Sequence, residues 1–208
     1  GELPYPEGRA CAEVLRAGER RVFGMLAAGA PLDGLMSELC EAVGQALRRE
    51  AYVGLLLLDG GRLMPLADRG VPAPLRQATA AGIEPGEFNG ACGAAAALNR
   101  VVVCADVATD ARWEKYRQSA RDAGVASCWS TPVRGADGAL LATFAVYCPL
   151  PGAPTAEDLD LTASAASLSG VLIERFRADE RLRESDARYR SLVELSEDGV
   201  ALHDERGI

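Results

Sequence analysis

The stretch AYVGLLLLDGGRLMPLAD, Ala51 to Asp68, constrains this chain more than any other. Its first eight residues are far shorter than a membrane span and almost wholly apolar. They read as a strand buried on both faces. Asp-Gly-Gly then turns the chain and RLMPLAD pairs back, making a hairpin. Val125–Arg134 and Ala139–Cys148 form a second hairpin around the turn GADG. Two such hairpins require an antiparallel sheet.

Helical spacing flanks the hairpins. Between Arg9 and Ala28 the apolar residues Val14, Val22, Met25 and Leu26 recur at broken helical steps, with Gly18 and Gly24 as weak points. Pro31 stands where a helix starts. Leu32, Leu35, Met36, Leu39, Val43 and Leu47 follow at three- and four-residue steps, an amphipathic helix. Pro72 to Ala81 is weakly helical, IEPGEFNGACG is a Gly-rich loop, and ACGAAAALN makes a short helix of small residues. The run VVV at 101–103 is a strand. The next helix is capped by Thr109 or Asp110 and stopped by Gly124. From Thr155 a long helix begins, with Thr155 as N-cap and Glu157 and Asp158 in its first turn. This order predicts an α+β fold in which helices at both ends flank an antiparallel sheet of five or six strands.

Composition narrows the function classes. Apolar residues make up 49% of the 208, enough for a real core. The net charge of −8 argues against a phosphate-binding surface, so nucleic acid is not expected as a partner. No apolar run reaches membrane-span length, and GELPYPEG has neither the basic nor the apolar region of a secretory signal. A cytoplasmic location is therefore expected. The six cysteines (11, 40, 92, 104, 128 and 148) include no C-x-x-C pair, and His203 is the single histidine. A structural zinc or a disulfide is not expected; the thiols read as buried small hydrophobes.

Three pieces, in order, carry a resemblance: NGACGAAAALNRVVVCADVATDARW, GVASCWSTPVRGADGALLATFAVY and PTAEDLDLTASAASLSGVLIER. Together they resemble a GAF domain of the bacterial subgroup with a Cys-Gly turn followed by Cys-Trp-Ser-x-Pro. The resemblance spans residues 20–178 and implies a six-stranded antiparallel sheet, helices on one face and a ligand cleft on the other. It places Asn89, Cys92, Trp113, Tyr116, Cys128, Trp129 and Ser130 in that cleft. Residues 1–19 are then an N-terminal extension. RLRESDARYRSLVELSEDGVALHDERGI, within 179–208, resembles the connecting helix and first strand of a PAS domain.

The function implied is a sensory module of a signal-transduction protein, ending in a histidine kinase (two-component) or diguanylate cyclase module. An unidentified small molecule binds the cleft, and the long helix relays the signal to the PAS unit. A heptad with Leu161, Leu168, Arg175, Leu182 and Tyr189 at a, and Ser164, Val171, Ala178, Ser185 and Leu192 at d, predicts a homodimer through the terminal helices. The alternative is a ligand-free dimerisation and relay module. No cofactor is expected, because bilin- and haem-binding relatives use a histidine and residues 1–202 contain none. Asn99-Arg100 echoes the start of the family's cyclic-nucleotide signature, but its Phe, Asp and Glu do not follow. A more distant alternative is the family branch that reduces free methionine sulfoxide. Cys92 matches one of its cysteines, whereas Tyr116 to Asp122, where its catalytic thiol would lie, contains no cysteine.

Strand alternation sharpens one expectation. Ser127, Trp129 and Thr131 share one face of their strand, and Cys128, Ser130 and Pro132 the other. Two hydroxyls beside a tryptophan suit a pocket wall better than a core, because buried hydroxyls need partners. Trp129 is therefore expected to face the helix that carries Trp113 and Tyr116.

Overall fold

The computed structural model describes the backbone of residues 6–204 and the side chains of residues 13–190. Cys11, Leu192 and His203 thus lie outside the described side chains. Two compact units divide the chain, Gly1–Val171 and Leu172–Ile208. The first holds the sheet and the candidate sites.

Helix α1 (Pro6–Ala27) runs unbroken through Gly18 and Gly24, buries Leu15 and Val22, and packs along α2 (Leu32–Ala46). The first hairpin is β1 (Tyr52–Asp59) with β2 (Arg62–Arg69). Two short helices follow, α3 (Ala73–Thr79) and α4 (Gly90–Leu98), then β3 (Val102–Cys104). A 3-10 turn over Ala111–Tyr116 leads into α5 (Arg117–Asp122). The second hairpin is β4 (Ser127–Arg134) with β5 (Leu140–Cys148). Helix α6 (Ala156–Asp204) follows.

The sheet is antiparallel, in the order β2-β1-β5-β4-β3. It has five strands, not the six implied by the family resemblance. Residues 80–90 contribute only an isolated bridge between Leu63 and Ile83. Pro85, which has no N–H to donate, and Gly86 follow at once and end the pairing.

The sheet has two different faces. On one, Leu55, Trp129, Phe144 and Val146 are fully buried, as are Leu35, Met36, Leu39 and Val43 of α2. The other face, with Leu56, Cys128, Ala145 and Tyr147, carries a second buried cluster shared with α4 and the 3-10 turn. Helix α6 begins with a reciprocal cap: Asp158 N–H donates to Thr155 Oγ1 at 3.1 Å, and Thr155 N–H donates to Asp158 Oδ2 at 2.8 Å. Leu161, Thr162, Ala165 and Ala166 are buried in its first part.

In the second unit, every side chain from Arg181 to Arg190 is exposed. The segment resembling the start of a PAS domain is helical through Asp204, including the stretch expected as a strand. No helix among the described residues is long and apolar enough to cross a membrane.

Candidate functional site

The site begins with α4, which is built almost entirely of Gly and Ala and so lies close against β4 and β5. Its start is held by the loop before it. Asn89 Nδ2 donates to the Glu84 carbonyl at 3.0 Å, and Gly86 N–H to the Gly93 carbonyl at 3.0 Å. A Cβ at position 93 would lie 2.6 Å from Asn89 Cβ and 3.0 Å from the Glu84 oxygen, so glycine alone fits there. This packing brings Cys92 Sγ within 3.5 Å of the Tyr147 hydroxyl.

The 3-10 turn supplies the second wall. Asp110 Oδ1 caps it by accepting from Arg112 N–H at 2.9 Å. The Arg112 guanidinium grips the same carboxylate, donates to the Val103 carbonyl at 2.9 Å, and holds the Asp110 carboxyl below its usual range. So anchored to β3, the turn buries Trp113 and Tyr116. Trp113 meets the rings of Tyr116 and Tyr147 edge-on, each at 6.4 Å between centroids.

Asn89, Cys92, Trp113, Tyr116 and Tyr147 together line a void of about 10 Å3, no more than one water needs. A cleft of about 530 Å3 adjoins it and shares Leu75, Thr79 and Tyr147 with it. Helix α3 covers this cleft, β1 and β2 form its floor, and Asp68 and Arg76 stand in its wall. Cys128 and Ser130 face the same side of the sheet, opposite Tyr147 and Ala145.

Trp129 does not join them. It points to the opposite face, fully buried, with the Arg49 guanidinium 5.8 Å from its ring centroid. The alternation along β4 is as expected, but the assignment of its faces is reversed. Hydroxyls did not keep this face out of the core, because both find partners. Ser127 Oγ donates to the Leu150 carbonyl at 2.7 Å, and Thr131 Oγ1 lies 3.4 Å from Thr162 Oγ1 of α6.

The polar atoms left over lie chiefly in the cleft-side cluster. The indole N–H of Trp113 and the hydroxyls of Ser130 and Thr143 are buried without a hydrogen bond of ordinary geometry. The Trp129 N–H and Arg117 Nε are the remaining such atoms among the described residues. Buried polar groups rarely stay unpaired. Ser130, Thr143 and Tyr147 surround the Cys92 thiol and draw its proton affinity down, but burial outweighs them and pushes it up. Burial likewise pushes the Cys128 thiol well up, reinforced by its neighbours Cys92 and Cys104. Both therefore hold their protons at neutral pH and are poor nucleophiles. Among the described residues no cluster of His, Cys, Asp and Glu could hold a metal.

Tyr147 was missed in the sequence, although its signal was present: it pairs with Cys128 across β4 and β5 and so shares that face. Asp68, Leu75, Arg76 and Thr79 carry no motif, and only the fold assembles them. A larger cleft of about 680 Å3 opens elsewhere, between the end of α2, the β5–α6 loop and the first turn of α6.

An antiparallel sheet with one face under helices and the other under a short-helix cleft defines a two-faced α+β domain. The chain belongs to the GAF domain family, whose model matches residues 29–174. A sensor associated with methyl sulfide methyltransferase from Methanosarcina acetivorans is 27% identical over 199 residues. That match covers 95% of this chain but only 20% of the sensor, so the chain spans about a fifth of that relative. Among solved structures, the GAF domain of a phosphoenolpyruvate-protein phosphotransferase from Coxiella burnetii shares the fold, with a TM-score of 0.67 and 17% identity over 84% of this chain and 98% of that one. Free methionine-R-sulfoxide reductase from Neisseria meningitidis, solved with its substrate, has a TM-score of 0.67 and 18% identity, covering 86% and 97%. At such identities the likeness concerns the fold alone.

Proposed function

We propose that this GAF domain is the regulatory sensor module of a cytoplasmic signalling protein. A small ligand enters under α3 and contacts the wall formed by Asn89, Cys92, Trp113, Tyr116, Cys128 and Ser130. The observation that carries this reading is the buried, unpaired Trp113 N–H in the wall of a void that adjoins a cleft of about 530 Å3. That volume falls within the usual range for small-molecule sites.

Trp129 takes a different role in this scheme. Strand β4 presents Cys128 and Ser130 to the cleft side and Trp129 and Thr131 to the helices, so one strand touches both the ligand wall and α6. Ligand binding biases two arrangements of α6, which passes the bias to a PAS unit and an output module. The large exposed apolar residues in the described part of α6, Val171, Leu182 and Tyr189, all fall on the heptad seam. That coincidence supports a parallel homodimer.

The ligand-free relay remains the second reading, favoured by the near-closure of the inner void around Trp113. Reductase chemistry is disfavoured by the protonated, buried state of Cys92 and Cys128. The test is native mass spectrometry of the purified protein for co-purifying small molecules, followed by emission of Trp113 in a Trp129→Phe background. The sensor reading expects a bound molecule whose removal changes the Trp113 spectrum. A protein that carries none, and whose Trp113 emission responds to no extract of small metabolites, overturns it in favour of the relay.

A further inference from the structure

We infer that the cleft under α3 takes a small zwitterion of the α-amino-acid class with an apolar side chain. Asp68 sits at the end of β2 and Arg76 on α3, and among the described residues they are the only charged ones in the lining of this cleft. Arg76 Nη1 stands 3.8 Å from Asp68 Oδ2, an ion pair too long to be a hydrogen bond. Asp68 Oδ1 is engaged by the Val71 N–H at 3.1 Å, which fixes the carboxylate and leaves Oδ2 directed to the arginine. The Arg76 guanidinium makes no hydrogen bond among the described residues. The pair is thus oriented by one hydrogen bond and partly exposed to solvent.

One acid and one base make a cleft that is dipolar and carries no net charge. Such a cleft discriminates against phosphates, nucleotides and dicarboxylates, whose net charge only one of the two residues could match. An α-amino acid carries its ammonium and carboxylate on a single carbon, so both fit opposite charges a few ångströms apart. Its carboxylate would take the Arg76 N–H donors and its ammonium Asp68 Oδ2, exchanging one long ion pair for two charge-assisted hydrogen bonds. The rest of the wall suits the remainder of the molecule. Leu56, Val71 and Leu75 supply apolar surface, and Gly54 lies in the floor beside the Val71 and Tyr147 side chains. Tyr147 marks the inner end, next to Trp113.

This inference rests on the sensor reading but fails separately from it. The experiment is calorimetric titration of the chain with L-leucine and L-methionine, compared with N-acetyl-leucine, which lacks the ammonium, and leucinamide, which lacks the carboxylate. Leucine or methionine should bind at millimolar concentration or better, and each capped analogue should bind at least about tenfold more weakly. Arg76→Gln should erase the preference for leucine over leucinamide. Asp68→Asn should erase the preference over N-acetyl-leucine. Both residues are partly exposed, so far-UV circular dichroism of the variants should match the parent. Equal binding of capped and uncapped compounds overturns the inference, as does no binding by either amino acid. If a co-purifying molecule of another class still shifts Trp113 emission, the ligand class falls and the sensor reading stands. If leucine binds with the expected selectivity and Trp113 emission stays constant, the site stands and the proposed contact with the aromatic wall falls.

Discussion

Arg49 covers the ring of Trp129 and ties it to the start of α6: its guanidinium lies 5.8 Å from the ring centroid, and its Nη2 lies 2.9 Å from Asp158 Oδ2. Asp158 is also half of the reciprocal cap that starts α6. One arginine therefore joins the central hairpin to the first turn of the longest helix.

Trp129 should behave as a core residue. Trp129→Ala should cost about 3–5 kcal/mol, as expected for emptying a buried aromatic site. Arg49→Ala should cost about 1–2 kcal/mol, since the cation–π contact is partly shielded and the ion pair is partly exposed. The two should couple by roughly 0.5–1 kcal/mol in a double-mutant cycle read by urea denaturation. A Trp129→Ala loss near zero would return that residue to a surface or pocket role.

Gly170 offers a test of sign. Replacing a mid-helix glycine with alanine usually stabilises by about 1 kcal/mol. Here the added Cβ would stand 2.2 Å from the Arg134 carbonyl oxygen, against backbone that cannot rotate away. Gly170→Ala should instead lower stability by about 1–3 kcal/mol. An increase in melting temperature would mean that α6 does not approach β4 this closely.

Two thiols predict how stability falls in alkali. Burial, with the nearby Asp68 and Glu41 carboxylates, pushes Cys40 up to about 12, and burial with Asp110 pushes Cys104 up to about 12. An unfolded thiol begins to lose its proton near the ordinary value of 9.0, whereas the folded one keeps it. The folded pKa is raised, so the contribution is complete below about pH 9 and is lost as pH rises toward 12. Each thiol should take away at most roughly 1.4 kcal/mol per pH unit in that window. Urea midpoints of the parent should fall more steeply over that window than those of Cys40→Ala. Parallel slopes would count against the buried thiol as the cause.

The exposed seam on α6 predicts the oligomeric state. Leu182→Glu with Tyr189→Glu places charges at two a positions and should convert a dimer to monomer in light scattering, without loss of the far-UV spectrum of the sheet domain. A dimer that survives both substitutions would place the interface elsewhere.

Much of the fold was legible because it is set by near neighbours in the chain. The two hairpins, the amphipathic α2, the Asp110 cap and the Thr155 cap each depend on residues within a few positions of one another. The sixth strand was expected from the family resemblance; the residue reading allowed five or six, and Pro85 stops the pairing. Of the expected cleft residues, Asn89, Cys92, Trp113 and Tyr116 come together around one void, while Cys128 and Ser130 share its side of the sheet. The cost of burying two hydroxyls points Trp129 to the cleft side, whereas the structure places it on the other face. Their partners, the Leu150 carbonyl and Thr162, lie 23 and 31 residues away and could not be foreseen.

The sequence by itself determined most of the elements and their order as far as the long helix, the pairing of the hairpin strands and which residues of a strand share a face. Periodicity and turn chemistry act over a few residues, and a strand of alternating side chains has the same pattern whichever way it is turned. Only the tertiary structure decided which face of β4 meets α6 and which meets α4. That choice depends on packing between segments far apart in the chain, and a one-residue slip would exchange the two faces. The same long-range packing brings Asp68 and Arg76 into one cleft, since nothing local distinguishes either of them from an ordinary surface charge.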